Sequence, residues 1–445
     1  MDPLPPPVPG TAVRVLATTD LGFALVPMTT SHGLGGTPAG VAALLDRERR
    51  RRPTVWLDAG DLTVGPVEAL LGRRPWDEVT GLPIDAAAAG NHDFDDGLPA
   101  SPPGFPLLCA NADAGLAPCA LIDTGAGGLG VIGLTNPWIH EFTGAPRPYD
   151  DGTERVTAHA RGLRAAGARW VVAVVHDGVA WWPADGDRPV HTRADRLAAL
   201  VRPWLAQVDL VLGGHTPAGW AGAVDGVPVA HPFAFASTVL VADLLDDPAS
   251  AVVRGSYPVP PERPAARTEA VEALDEAAAR VVARLDHTWL TRTGARHYLP
   301  DLVATALRRA TGADAALVPP GKHGTQAPLD GAVGALCAGD VTALDVTRVF
   351  GTRAAPLVVR LRGDEFRRLL DFHDRCADPR NAGADDLWWN WCRMPAGRDS
   401  TRESPATVAV MPSVLPQLTA WLGRDLDTEP GDTPAVDALA RLLSR

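Results

Sequence analysis

The sequence predicts an α/β fold, and two observations carry that expectation. Short β-branched, apolar runs recur through the first half, each ending in a compact polar block. Farther along, apolar residues at helical spacing alternate with further short apolar runs. At 445 residues the chain exceeds one ordinary core, so two domains are expected.

In chain order, residues 13–17, 54–57, 170–175 and 208–212 read as strands buried inside a layered sheet. Residues 257–264 are proline-rich and extended. Over 267–285 the apolar residues Val271, Leu274, Ala278, Val281 and Leu285 repeat with a helical period. These signals divide the chain into a metal domain over 11–262, a linker helix within 263–296 and a second domain over 297–445. The second domain opens, over 301–318, with an amphipathic helix, a glycine stop and a strand.

The polar blocks carry the chemistry. They are Thr-Thr-Asp20-Leu-Gly22, Asp58-Ala-Gly-Asp61, Gly90-Asn91-His92-Asp93, His176-Asp-Gly and Gly213-Gly-His215-Thr-Pro217. Asp20, Asp61, Asn91, His176 and His215 offer hard or borderline donors, suited to a divalent Mn, Zn, Fe or Co ion rather than to a thiolate-loving one. Strand ends of α/β folds are where such sites lie. The alternative for any single block is a turn, because Asp and Asn bond their own backbone there. That alternative suits Asp58, and it stays open for Asp20. His32, His140, His191 and His231 read as solvated or core residues; His32, in a glycine-rich loop, is the candidate substitute ligand.

In order and spacing the blocks resemble the calcineurin-like metallophosphoesterases, and more narrowly the two-domain 5'-nucleotidase family, which hydrolyses nucleotides and related phosphate esters with two metals. The resemblance implies a four-layer sandwich followed by a smaller α/β C-terminal domain. Its pattern reads Asp-x-His, Gly-Asp, Gly-Asn-His-Asp/Glu, His, then Gly-His-x-His. Gly22 and Pro217 stand where the first and last blocks carry His. By resemblance, Asp61, Asn91, His176 and His215 form one intact sphere with Asp61 bridging, and the other metal keeps only Asp20 and Asp61. One tightly bound cation is expected. His92 takes the role of proton donor to the phosphoryl oxygen or leaving group, with Asp93 orienting it.

The second domain resembles the family's C-terminal domain more loosely. Lys322 and His323, in Pro-Pro-Gly-Lys-His, replace its substrate-gripping loop, and Arg353 follows in Phe-Gly-Thr-Arg. Trp388, Trp389, Asn390 and Trp391 stand where members hold a nucleobase; a core cluster is the alternative reading of these rings.

A net charge of -12 without a basic patch argues against nucleic-acid or membrane-surface partners. Five dispersed cysteines and a start without a basic, apolar leader point to a cytoplasmic protein with reduced thiols. Three functional readings remain. They are a metal-dependent phosphoesterase on a nucleotide or nucleoside-type substrate, a single-metal lyase or dehydratase on a nucleoside, and a non-catalytic nucleoside binder.

Overall fold

The computed structural model describes residues 4–22, 25–30, 33–63, 65–95, 97–99, 103–136, 152–182, 191–246, 250–291, 295–318, 325–326, 334–350, 352–376 and 405–444. Among the described residues of the first domain, twelve strands form two six-stranded sheets: β1 Thr11–Thr18, β2 Thr54–Asp58, β3 Ala86–Ala88, β4 Leu107–Leu108, β5 Cys119–Asp123, β6 Gly128–Leu134, β7 Ala168–Val175, β8 Leu210–Gly213, β9 Trp220–Val224, β10 Val227–His231, β11 Thr238–Leu245 and β12 Ala251–Pro258. One sheet has the order β12-β11-β1-β2-β3-β4 and the other β9-β10-β8-β7-β6-β5. Their central strands run parallel, antiparallel hairpins form three of the four edges, and β4 closes the fourth in parallel with β3.

Alternation along each strand builds the layers. Val13, Val15, Ala17, Val55 and Leu57 turn toward the other sheet, where they meet Leu129, Val131, Val172, Val174 and Leu212. The residues between them, Leu16 and Trp56, turn outward against Val41, Leu44 and Leu45 of the helix Pro38–Arg49. On the opposite outer face Val171, Ala173 and Val175 pack with Val156 and Leu163 of the helix Thr153–Ala165. The result is a helix-sheet-sheet-helix sandwich in which a buried Val or Leu side chain contributes about 1.5–3 kcal/mol.

Strand register brings the polar blocks together. Thr18 pairs with Asp58, Asp58 with Ala87, and Gly213 with Val175, so the loops that follow these strands leave the sheets side by side.

The helix expected over 267–285 stops earlier. It spans Glu269–Ala279, capped by the Thr268 hydroxyl, and Val281–Leu285 is a strand paired antiparallel with Gly339–Thr342. A register shift between Val281 and Ala283 accounts for Val281 being exposed while Ala283 is buried, since a regular strand would put both on one face. The 263–296 segment is therefore a helix followed by two strands, the second being Trp289–Leu290.

The second domain has its own core. The helix Leu299–Thr311 ends on Gly312 in the left-handed conformation and leads into the strand Ala315–Leu317. That strand joins a sheet with Ala406–Val410, Leu357–Leu361 and Thr428–Pro430, packed against the helices Leu299–Thr311 and Ala435–Leu443. From the helix Ala343–Phe350, Ala343 and Leu344 enter the first domain's outer core beside Val271, Leu274 and Ala277. Among the described residues no helix is long and apolar enough to cross a membrane.

Candidate metal centre

Asp20, Asp61, Asn91, His176 and His215 each lie within three residues past the end of a strand, namely β1, β2, β3, β7 and β8. Asp20, Asp61 and His215 have positive φ, at 47°, 57° and 76°. Such backbone is sparse outside glycine and costs about 1–3 kcal/mol per residue, so neighbouring bonds must hold it. They do so here. The Asp20 N–H donates to the Gly60 carbonyl (2.8 Å), the His215 N–H to Asp20 Oδ2 (2.8 Å) and the His92 N–H to Asp61 Oδ1 (2.9 Å). Gly90 is needed for closeness: a Cβ there would stand 2.2 Å from Asp61 Oδ1.

Asp61, His176 and His215 offer ligand atoms that all lie within 4.8 Å of one another. His176 Nδ1 sits 2.6 Å from the Ala59 carbonyl, which assigns the N–H to that nitrogen. In the neutral ring Nε2 presents its lone pair toward Asn91 Oδ1 at 3.1 Å and Asp61 Oδ2 at 3.3 Å. Electron pairs so opposed repel unless a positive charge lies among them. Two donors about 2.1 Å from a tetrahedral ion stand about 3.4 Å apart, close to these spacings. His215 Nδ1 is buried with no hydrogen-bond partner. The residues fit a divalent cation with oxygen and nitrogen ligands.

The electrostatics carry the same tension. Burial opposes charge on Asp61, yet His176 and His92 hold its carboxyl well below the usual carboxylate range. Burial also opposes charge on His176, but Asp61 raises the imidazole to about 10. Burial, and then the His176 charge, keep His215 well below the ordinary histidine value. Burial lifts Asp20 to about 7, against the pull of His176.

His92 stands beside this cluster, and its partner differs from the expected one. Asp93 does not orient it. The Asp93 carboxylate receives the backbone N–H groups of Asp61 (3.0 Å), Leu62 (2.8 Å) and Gly90 (2.8 Å), and so ties the loop after β2 to the loop after β3. Burial, then the Asp61 charge, raise it to about 7. His92 Nδ1 instead lies 2.8 Å from Asp95 Oδ2, which also receives Arg74 Nη2 at 2.9 Å. The signal for Asp95 was its place three residues on, the spacing that faces its partner within a helical turn.

Asp58 is a structural residue. Its carboxylate receives the Thr18 hydroxyl (2.5 Å) and the Gly60 N–H (2.8 Å). His231 is buried, its ring against the carbonyls of Gly214 and Pro232, and burial lowers it to about 4. Arg353 is exposed. His32, His140, Lys322, His323, Trp388, Trp389, Asn390 and Trp391 lie outside the described residues, and of His191 only its place in the strand His191–Arg193 is described.

Loops from parallel strands of two facing sheets thus converge on Asp, Asn and His. Residues 13–219 match the calcineurin-like phosphoesterase family. The snake venom 5'-nucleotidase of Crotalus adamanteus is 28% identical over 203 residues, which span 41% of this chain and 32% of that protein's length. A 5'-nucleotidase precursor from Thermus thermophilus shares the two-domain fold with a TM-score of 0.71 and 20% identity, over 97% of this chain and 96% of that one. The 5'-nucleotidase of Candida albicans does so at 0.66 and 10% identity, over 99% of both chains. The chain thus has the two-domain architecture of 5'-nucleotidase structures.

Proposed function

We propose that this chain hydrolyses the phosphate ester of a nucleotide or a nucleoside-type substrate, using one divalent cation held by Asp61, Asn91, His176 and His215. One arrangement carries the proposal: the ligand cluster meets His92, and His92 is held by Asp95. Such a cation supplies charge neutralisation at a phosphoryl group and a more acidic bound water. The protein's own part is to move a proton. With Nδ1 turned to Asp95, the His92 ring is oriented for proton exchange with the ester oxygen. Asp93 keeps the ligand loops in place. The departure from the family pattern at Gly22 and Pro217 supports reading the second cation position as degraded, with Asp20 left as a brace for the His215 backbone.

We further take the domains to be 11–262 and 297–445, a division supported by the separate second core. For substrate contacts we propose Lys322, His323, Arg353, Trp388, Trp389, Asn390 and Trp391, from the order of the resembling segments. The unpaired thiols Cys109, Cys119 and Cys337 favour a reducing, cytoplasmic setting.

The loss of ligand side chains at 22 and 217 also favours a second reading, elimination of water from a nucleoside by a single-cation lyase. Incubation with nucleoside monophosphates, and separately with nucleosides, in the presence of Mn, Co or Zn separates the two. Hydrolysis releases inorganic phosphate. Elimination consumes none and leaves a nucleoside product lighter by one water.

A further inference from the structure

Phe235 has a φ of +65°, and the next residue, Ala236, one of +48°. A bulky residue there is an outlier, and it persists only where its surroundings dictate it. Two bonds bind this turn to the ligand loops. The Phe235 N–H donates to the Asp20 carbonyl (2.8 Å), and the Ala234 N–H donates to the Pro217 carbonyl (3.3 Å).

The ring lies against Gly22. A Cβ built on Gly22, whose own φ is +59°, would stand 2.1 Å from Phe235 Cδ1 and 2.8 Å from Cε1. The Gly22 carbonyl is covered too, because a Cβ on Gly65 would come within 2.0 Å of it. A side chain at position 22 cannot enter unless the ring at position 235 moves. The phenyl ring, unlike histidine, brings no donor atom. Asp20 is drawn into the same packing, its Oδ2 receiving the Thr19 hydroxyl (2.5 Å) and the His215 N–H (2.8 Å).

We propose that Phe235 is a plug. Its ring fills the space beside the Asp20 loop that a metal-ligating side chain from position 22 would occupy, and so restricts the chain to one divalent cation. The inference rests on the single-cation reading above. It adds a specificity-determining residue: ligand replacement alone does not rebuild a second site while the ring stays.

The test is the number of manganese ions per chain. Protein loaded with micromolar Mn(II) and freed of excess by gel filtration is measured by elemental analysis, with the melting temperature read in parallel. Wild type is expected to hold one ion. Phe235→Gly, which suits the positive φ and serves as the folding control, also holds one, since it adds no ligand. Gly22→His alone holds one and melts lower, whereas Gly22→His/Pro217→His/Phe235→Gly holds two. Two ions in wild type or in Gly22→His alone overturn the plug, as does one ion in a triple variant that melts like Phe235→Gly. No ion in wild type brings down the single-cation reading itself.

Discussion

His92 Nδ1 lies 2.8 Å from Asp95 Oδ2, and Arg74 Nη2 reaches the same oxygen at 2.9 Å. Asp95 therefore fixes which ring nitrogen of His92 carries its proton, while Arg74 holds Asp95 in place. His92→Ala is expected to lower phosphate release about 10²–10⁴-fold, the usual range for a lost general acid. Bound cation should stay unchanged, because the ligand set does not include the His92 ring. Asp95→Asn should lower the rate about 10–100-fold, as loss of a group that orients an imidazole does. Steady-state rates at saturating metal check both variants.

Asp93 is expected to behave differently from Asp95. Its carboxylate is the acceptor for three buried N–H groups, so Asp93→Ala should destabilise the fold by about 3 kcal/mol or more. Urea unfolding measures this directly. Metal affinity should fall with it, since Asp61 and Asn91 lie in the loops that it joins. If Asp93 instead tuned His92, the variant would keep its stability and shift the pH profile of the rate.

The second domain gives a pH prediction. Arg424 holds Glu365 with two bonds of 2.7 Å, and the Arg362 N–H adds a third at 2.8 Å. The Arg424 bonds are the main cause that lowers Glu365 from the ordinary 4.5 to about 2. A lowered carboxyl stabilises the fold fully above the unfolded value and loses that contribution as pH falls toward the folded value. The melting temperature should therefore drop between about 4.5 and about 2, and Glu365→Gln should remove that part of the slope. Scanning calorimetry across this range reads it.

Much of this was legible in particular residues. Each polar block follows an apolar run, and such runs become the central strands of the two sheets; the blocks then lie at strand ends by construction. The turn that sets His92 against Asp95 was harder to read, because Asp93 and Asp95 are both acids within reach of His92 in sequence. Three backbone N–H groups, from segments up to 32 residues away, decide where Asp93 points. Residues 281–285 fit both a helix and a strand. Pairing with Gly339–Thr342, far along the chain, settles the choice. Phe235 carried no signal at all, since its significance comes from an absent side chain at Gly22.

The central claim is that Asp61, Asn91, His176 and His215 hold one cation beside His92. Its most direct test is an anomalous difference map from crystals soaked in Mn(II). The account predicts a single strong peak bounded by those four side chains, absent in Asn91→Ala crystals soaked alike. A peak that persists in Asn91→Ala, or no peak among these residues, would contradict it.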